Sequence, residues 1–160
     1  MKKRDLTAVA FLAIIVCIAA GIRIWNRLNV PDGFVLVNNR MVKVLYADTY
    51  ERQYRGLGGR DDIGEYEGMY FIFPFEGKLS MVMRDMRFPI DVIWLKSGEV
   101  VDIRKDLRPE QVRKGRSLTV YENSSPADSF LELRAGGSDR LNIKVGDKLI
   151  FCKEAEKCGN

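Results

Sequence analysis

The sequence predicts a mainly β (α+β) fold: a small β-barrel or sandwich-like domain with one or two short helices, preceded by an N-terminal transmembrane helix. Three observations predict it. Short apolar runs separated by turn residues fill most of the 160 residues. Two of the turns, Asn38-Asn39 and Ser97-Gly98, carry hairpin signals. And one uncharged apolar run, Leu6 to Ile22, stands apart at the N-terminus.

That run is 17 residues long and follows Lys2, Lys3 and Arg4. Spanning a bilayer takes about 20 apolar residues, with roughly 17 as the lower limit. Trp25 and Arg27 suit an interfacial anchor beyond it. Residues 1–25 are therefore expected to be an uncleaved signal anchor, with the N-terminus cytoplasmic and the rest outside the cell membrane. Secretion after cleavage near Ala19-Ala20-Gly21 is the first alternative. Lipidation at Cys17 and a buried helix of a soluble protein are further ones. Val16 is larger than lipidation wants before the cysteine, and the run lacks the polar stripe of a core helix.

Residues 26–33, with Pro31, Asp32 and Gly33, read as a linker. Residues 34–152 have the size of one domain with one core. Phe34–Val37 and Met41–Tyr46 flank the first hairpin turn. Asp48, with Glu51 three residues on, predicts a short helix ending at Gly56. Met69–Phe73 and Leu79–Met83 follow as strands. Ile90–Leu95 and Glu99–Ile103 flank the second hairpin turn. Leu118–Tyr121 and Phe130–Leu133 come next, then a short helical turn over Ser138–Asn142 and a last strand, Lys148–Phe151. Residues 153–160 read as a polar tail.

Composition narrows the chemistry. The chain has no histidine. Ser-His-Asp and Cys-His nucleophile systems are excluded within it, as is a Cys/His zinc site, because only three cysteines are present. The formal charge of +4 divides evenly between residues 1–22 and the remainder. A nearly balanced exported domain is not a nucleic-acid binder by its charge. Outside the cytoplasm a disulfide persists. A Cys152–Cys158 bridge across five residues is therefore one outcome, and two free thiols the other.

A series of segments then comes in order: Tyr46-Ala47-Asp48-Thr49, Arg55-Gly56-Leu57-Gly58-Gly59-Arg60, and Gly68-Met69-Tyr70-Phe71-Ile72-Phe73-Pro74. Met83-Arg84-Asp85-Met86-Arg87-Phe88-Pro89-Ile90-Asp91-Val92-Ile93-Trp94 follows, then Leu131-Glu132-Leu133 with Ala135-Gly136, and Ile143-Lys144-Val145-Gly146-Asp147. Over roughly residues 41–151 this resembles the domain of unknown function 192 family, small and often exported prokaryotic proteins. The family's central motif usually reads Trp-Met-Lys-Asn-Thr. Here Val82 replaces the aromatic, Asp85 the amide and Met86 the hydroxyl residue, while Arg84 keeps the positive charge. The family's Pro-Cys pair is absent, and Arg108-Pro109 leads instead into the basic run Arg113-Lys114-Gly115-Arg116. The resemblance implies an extracytoplasmic, mainly β domain and implies no reaction.

Arg55, Arg60, Arg84, Asp85 and Asp91 fall within the matching segments and form the candidate ligand pocket. Asp91 sits in an apolar strand, where a carboxyl needs a partner. Two readings follow. Asp91 pairs internally with an arginine, or the arginines hold an anionic ligand by bidentate bonds. A glycosidase-like pair, Asp85 with Asp91, is a third. Met81, Met83 and Met86 read as core packing, with soft-metal binding as the alternative. Asp61, Asp62, Glu65 and Glu67 read as a solvated turn, with calcium as the alternative. The basic run reads as a solvated hairpin end, or as a contact with lipid head groups.

No cofactor or resident metal is expected. The expected partners are the membrane, through the N-terminal helix, and an unknown small ligand or envelope protein. The function predicted is a membrane-tethered binding or accessory module; the alternative is an enzyme using carboxylate and arginine chemistry on an envelope substrate.

Overall fold

The computed structural model describes residues 3–28, 30–110 and 117–158, with side chains in the first helix described at residues 9 and 11–22. The chain forms two compact units, Met1–Val30 and Pro31–Asn160. The basic run at 113–116 lies outside the described residues.

The first unit is one helix, α1 (Lys3–Leu28). Its described side chains, Val9 and Phe11–Ile22, are all exposed. A helix therefore stands where the sequence predicts one. A membrane span is not shown: among the described residues no helix is long and apolar enough to cross a membrane.

The second unit is mainly β, a single sheet curled into a half-barrel. Its strands are β1 (Asp32–Val37), β2 (Arg40–Ala47), β3 (Gly68–Gly77), β5 (Ile90–Lys96), β6 (Glu99–Leu107), β8 (Ala127–Arg134) and β9 (Leu149–Cys152). Their order is β6-β5-β8-β3-β2-β1-β9. A two-stranded ribbon pairs β4 (Ser80–Met81) with β7 (Tyr121–Glu122). The helices are α2 (Tyr50–Arg55) and α3 (Gly137–Arg140), with a 3-10 turn at Ala155–Lys157.

Both predicted hairpins form, for the reason their residues suggest. Asn38 and Asn39 both take positive φ, 48° and 60°, as do Ser97 and Gly98, at 48° and 78°. A two-residue turn that matches the twist of its strands needs this conformation twice. Asn38 also donates through Nδ2 to the carbonyls of Leu141 and Asn142, pinning the first hairpin to the exit of α3. The second hairpin is held by the Ser97 N–H, which donates to Asp128 Oδ2 at 2.7 Å.

The sheet curls far enough for its two ends to meet. Glu99 of β6 bridges Lys148, and the Leu149 N–H donates to the Gly98 carbonyl at 2.8 Å. Inside the curl lies the main core: Val35, Val37, Val44, Tyr70, Ile93, Leu95, Leu131 and Leu133, closed by Leu141, Ile143 and Leu149.

Several boundaries differ from the sequence expectation. β1 begins at Asp32, inside the expected linker, because Gly33 packs where a β-carbon would stand 2.8 Å from the Cys152 carbonyl. β4 and β7 are two residues each, shorter than expected, and Leu79 instead donates its N–H to the buried Asn123 side chain. Thr49, not Asp48, stands at the N-cap of α2, and its side chain makes no capping bond. Asp48 instead pairs with Arg52 one turn on, at 2.6 Å. The segment after Cys152 is tied back to β9 by a Cys152–Cys158 disulfide, and both cysteines are buried.

Candidate functional site

Side chains alternate across a strand, so β3, β5 and β8 have a second face. Met69, Phe71 and Phe73 lie on it from β3, Val92 and Trp94 from β5, and Phe130 and Glu132 from β8. The apolar positions of this face are buried as well, apart from the half-buried Phe73: β5 is buried from Ile90 to Leu95. Phe71 stacks on Phe130 at 4.3 Å between ring centroids, with Phe73 and Trp94 at 5.6 and 6.5 Å from the same ring.

A pocket of about 470 Å³ lies over this face. Phe71, Phe130 and Glu132 form its floor. Its walls are Leu57, Met81 and Met86, all buried. Its mouth carries Tyr50, Tyr54 and Phe75, which are 74%, 61% and 57% exposed, with Arg55 and Arg84 beside them. A volume of this order suits a small molecule.

Each wall is held locally. Gln53 donates through Nε2 to the Ile72 carbonyl at 2.6 Å and fixes α2 to β3. Gly56 ends the helix at φ 51° and lies over the Phe71 ring, where a β-carbon would be 3.3 Å away. Gly58 allows the next contact: a β-carbon there would sit 2.8 Å from the Arg84 carbonyl. Gly59 then donates its N–H to the Asp85 carbonyl at 2.8 Å, joining the exit of α2 to the turn that carries Arg84. Arg84 lies over the Tyr54 ring, 4.3 Å from its centroid, and forms no ion pair among the described residues.

The buried end is polar at one point. Glu132 is 4% exposed, and its Oε2 has no hydrogen-bond partner among the described residues. Burial pushes its carboxyl up to about 8, so at neutral pH it is mostly protonated. On the neighbouring strand Trp94 Nε1 is also buried without a partner among the described residues. Buried polar groups in native folds are nearly always satisfied, so two orphans on one face of adjacent strands call for an explanation.

The five residues expected at the site separate. Arg55 and Arg84 line the pocket together. Arg60 does not line it. It is half-buried, and burial first, then the nearby charge of Arg55, hold its pKa below the ordinary arginine range. Asp85 is exposed and contributes its backbone. Its φ of 54° is a conformation that Asp and Asn tolerate better than other side chains, which accounts for the residue type at this turn. Asp91 is fully buried on the core side, not on the pocket side. Among the described residues no arginine meets it: the Asp106 N–H donates to Oδ1 at 3.0 Å, and the Ser138 N–H and hydroxyl donate to Oδ2 at 3.0 and 2.7 Å. The expected arginine partner is replaced by three neutral donors.

The acidic turn resolves into separate pairs: Asp61 with Arg87, Asp62 with Arg134, Glu65 with Lys43 and Glu67 with Arg140. These acids latch the 61–67 loop to four different cations. Among the described residues no cluster of three metal-ligating side chains is found. Of the methionines, Met83 is fully buried, and Met81 and Met86 wall the pocket.

Two solved structures share this fold. One is a "putative transcription regulator" from Sinorhizobium meliloti, 22% identical, covering 77% of this chain and 94% of that one with a TM-score of 0.65. The other is a protein of unknown function from Novosphingobium aromaticivorans, 26% identical, covering 74% and 83% with a TM-score of 0.62. No curated protein matches the chain. The family described as "Uncharacterized ACR", DUF192, matches residues 34–151, and the resemblance read from the segments in order is thereby established. With that match spanning the half-barrel and its pocket, the chain belongs to the DUF192 family.

Proposed function

We propose that the protein is a membrane-tethered extracytoplasmic binding domain that takes a small ligand in the pocket over Glu132. The observation that carries this reading is Glu132, a buried carboxyl among the apolar residues at the floor of the pocket, whose Oε2 has no partner among the described residues. Such a group costs about 1–3 kcal/mol. A fold that keeps it gains nothing from it unless something else completes the bond. Arg84 at the mouth, without an ion pair among the described residues, gives a ligand a second anchor.

Tethering is supported by α1, whose described apolar side chains are exposed on every side and suit an apolar solvent. The N-terminus is then cytoplasmic and the domain outside, or the domain is secreted if the signal is cleaved. The Cys152–Cys158 disulfide supports an oxidising compartment. The near-neutral charge of the domain favours a small ligand or an envelope protein over nucleic acid, and the 22% likeness to the Sinorhizobium protein carries fold alone.

The test is ligand-observed ¹⁹F NMR of 4-(trifluoromethyl)benzoate with the full chain in detergent micelles. Binding in the pocket broadens the line, and Val82→Trp, which enlarges a half-buried lining residue, removes the broadening. Broadening unchanged in V82W would reject the pocket.

The enzyme reading keeps one specific observation, a carboxyl raised to about 8 and so poised to exchange a proton near neutral pH. The acid would then be Glu132, not Asp85 or Asp91, since neither of those lines the pocket. Turnover of an envelope substrate that survives Glu132→Gln would exclude it.

A further inference from the structure

We infer that the ligand is a small zwitterion, with an amine that meets Glu132 at the floor, an apolar ring or short chain between the phenylalanines, and an acidic group at Arg84. This rests on the pocket reading above and adds the charge pattern of its occupant.

The pocket has two poles. Glu132 is the only acid among the described residues that line it, and it lies at the buried end. The lining cations are Arg55 and Arg84, beside the exposed rings of Tyr50 and Tyr54. The poles do not neutralise each other. Glu132 Oε2 has no hydrogen-bond partner among the described residues, arginines included.

Between the poles the surface is aromatic and thioether: Phe71, Phe73, Phe130, Met81 and Met86. Ring faces tolerate a cation passing over them and pack well against an apolar body. A wholly apolar ligand would leave Glu132 as unpaired as before. A second acid at the floor would face it with like charge once either ionised. An ammonium donates to the Glu132 carboxyl and stabilises its ionised form. The acidic group at the other end has a guanidinium to accept from.

Three related probes test this at pH 7.5 with the full chain in detergent micelles: 4-(aminomethyl)benzoate, 4-methylbenzoate and 4-methylbenzylamine. The first is expected to bind about tenfold or more tightly than either of the others, the factor given by one added charge-assisted bond. Glu132→Gln should bring its affinity down to that of 4-methylbenzoate without weakening 4-methylbenzoate itself. Arg84→Ala should bring it down to that of 4-methylbenzylamine. If 4-methylbenzoate binds wild type as well as the zwitterion does, the inference is wrong, whatever the variants do. If the three bind alike and V82W removes them all, the pocket stands and the zwitterion falls. If none binds, or V82W changes nothing, both fall.

Discussion

Ser138 donates twice to one oxygen of Asp91, from its backbone N–H at 3.0 Å and from its hydroxyl at 2.7 Å. Both residues are fully buried, and they join β5 to the start of α3 across 47 positions of sequence. The contact makes Asp91 a fold residue. Asp91→Ala strands the Ser138 and Asp106 donors and is expected to cost roughly 3 kcal/mol. Arg84→Ala, which removes a stacked side chain at the pocket mouth, should cost less than about 1 kcal/mol. Urea unfolding of the two variants separates them; equal losses would show that Arg84 also supports the fold.

Glu132 gives the protein an unusual pH dependence. Its carboxyl titrates near the ordinary 4.5 when the chain is unfolded and at about 8 when folded. Between those values the folded state holds a proton that the unfolded state has lost, so stability falls as pH rises. Below about 4.5 the contribution is fully present, and it is lost as pH passes through about 8. The steepest slope is about 1.4 kcal/mol per pH unit. With no histidine in the chain, few other groups titrate in that window. Denaturant midpoints from pH 5 to 9 should fall for wild type and stay nearly level for Glu132→Gln. A level wild-type curve would refute the shift.

The disulfide holds the end of the chain against β9 through a loop of sequence separation 6. Closing so small a loop is worth about 2 kcal/mol. The double variant C152A/C158A should lose that amount in urea unfolding while the pocket, which neither cysteine lines, keeps its ligand. Loss of binding at full stability would link the tail to the site.

The tether is tested by thiol labelling in a Cys17→Ala background. Lys2→Cys should react with a membrane-impermeant maleimide only after permeabilisation, and Asn26→Cys in intact cells. Both chains should stay in the membrane pellet after alkaline carbonate washing. Labelling of Lys2→Cys in intact cells would invert the orientation, and a mature chain starting near Gly21 would show secretion instead.

The hairpins were legible because Asn38-Asn39 and Ser97-Gly98 place residues that tolerate positive φ between apolar runs. The partner of Asp91 was not, because a buried acid suggests a counter-charge, whereas a hydroxyl and two N–H groups from β6 and α3 serve equally well. Glu132 was missed for a related reason. Phe130-Leu131-Glu132-Leu133-Arg134 alternates like a strand with a solvated face. What covers that face comes from α2 and the 80–86 segment, which no local pattern places there. A signal did exist. Ile90–Leu95 is apolar at almost every position, which implies that both faces of β5 are covered, and β8 pairs directly with it. Of the arginines expected at the site, Arg55 and Arg84 line the pocket among the described residues, and Arg60 does not, because Gly58 and Gly59 turn the chain before it.

The central claim is that Glu132 is kept for a ligand and not for the fold. The most direct measurement is the unfolding free energy of Glu132→Met at pH 7.5, without ligand. Methionine fills a similar volume, removes the orphan oxygen and does not titrate, so the variant should be more stable than wild type by about 1–3 kcal/mol or more while losing the pocket's polar anchor. A loss of stability of similar size would show that Glu132 serves the folded chain itself, and would contradict the account.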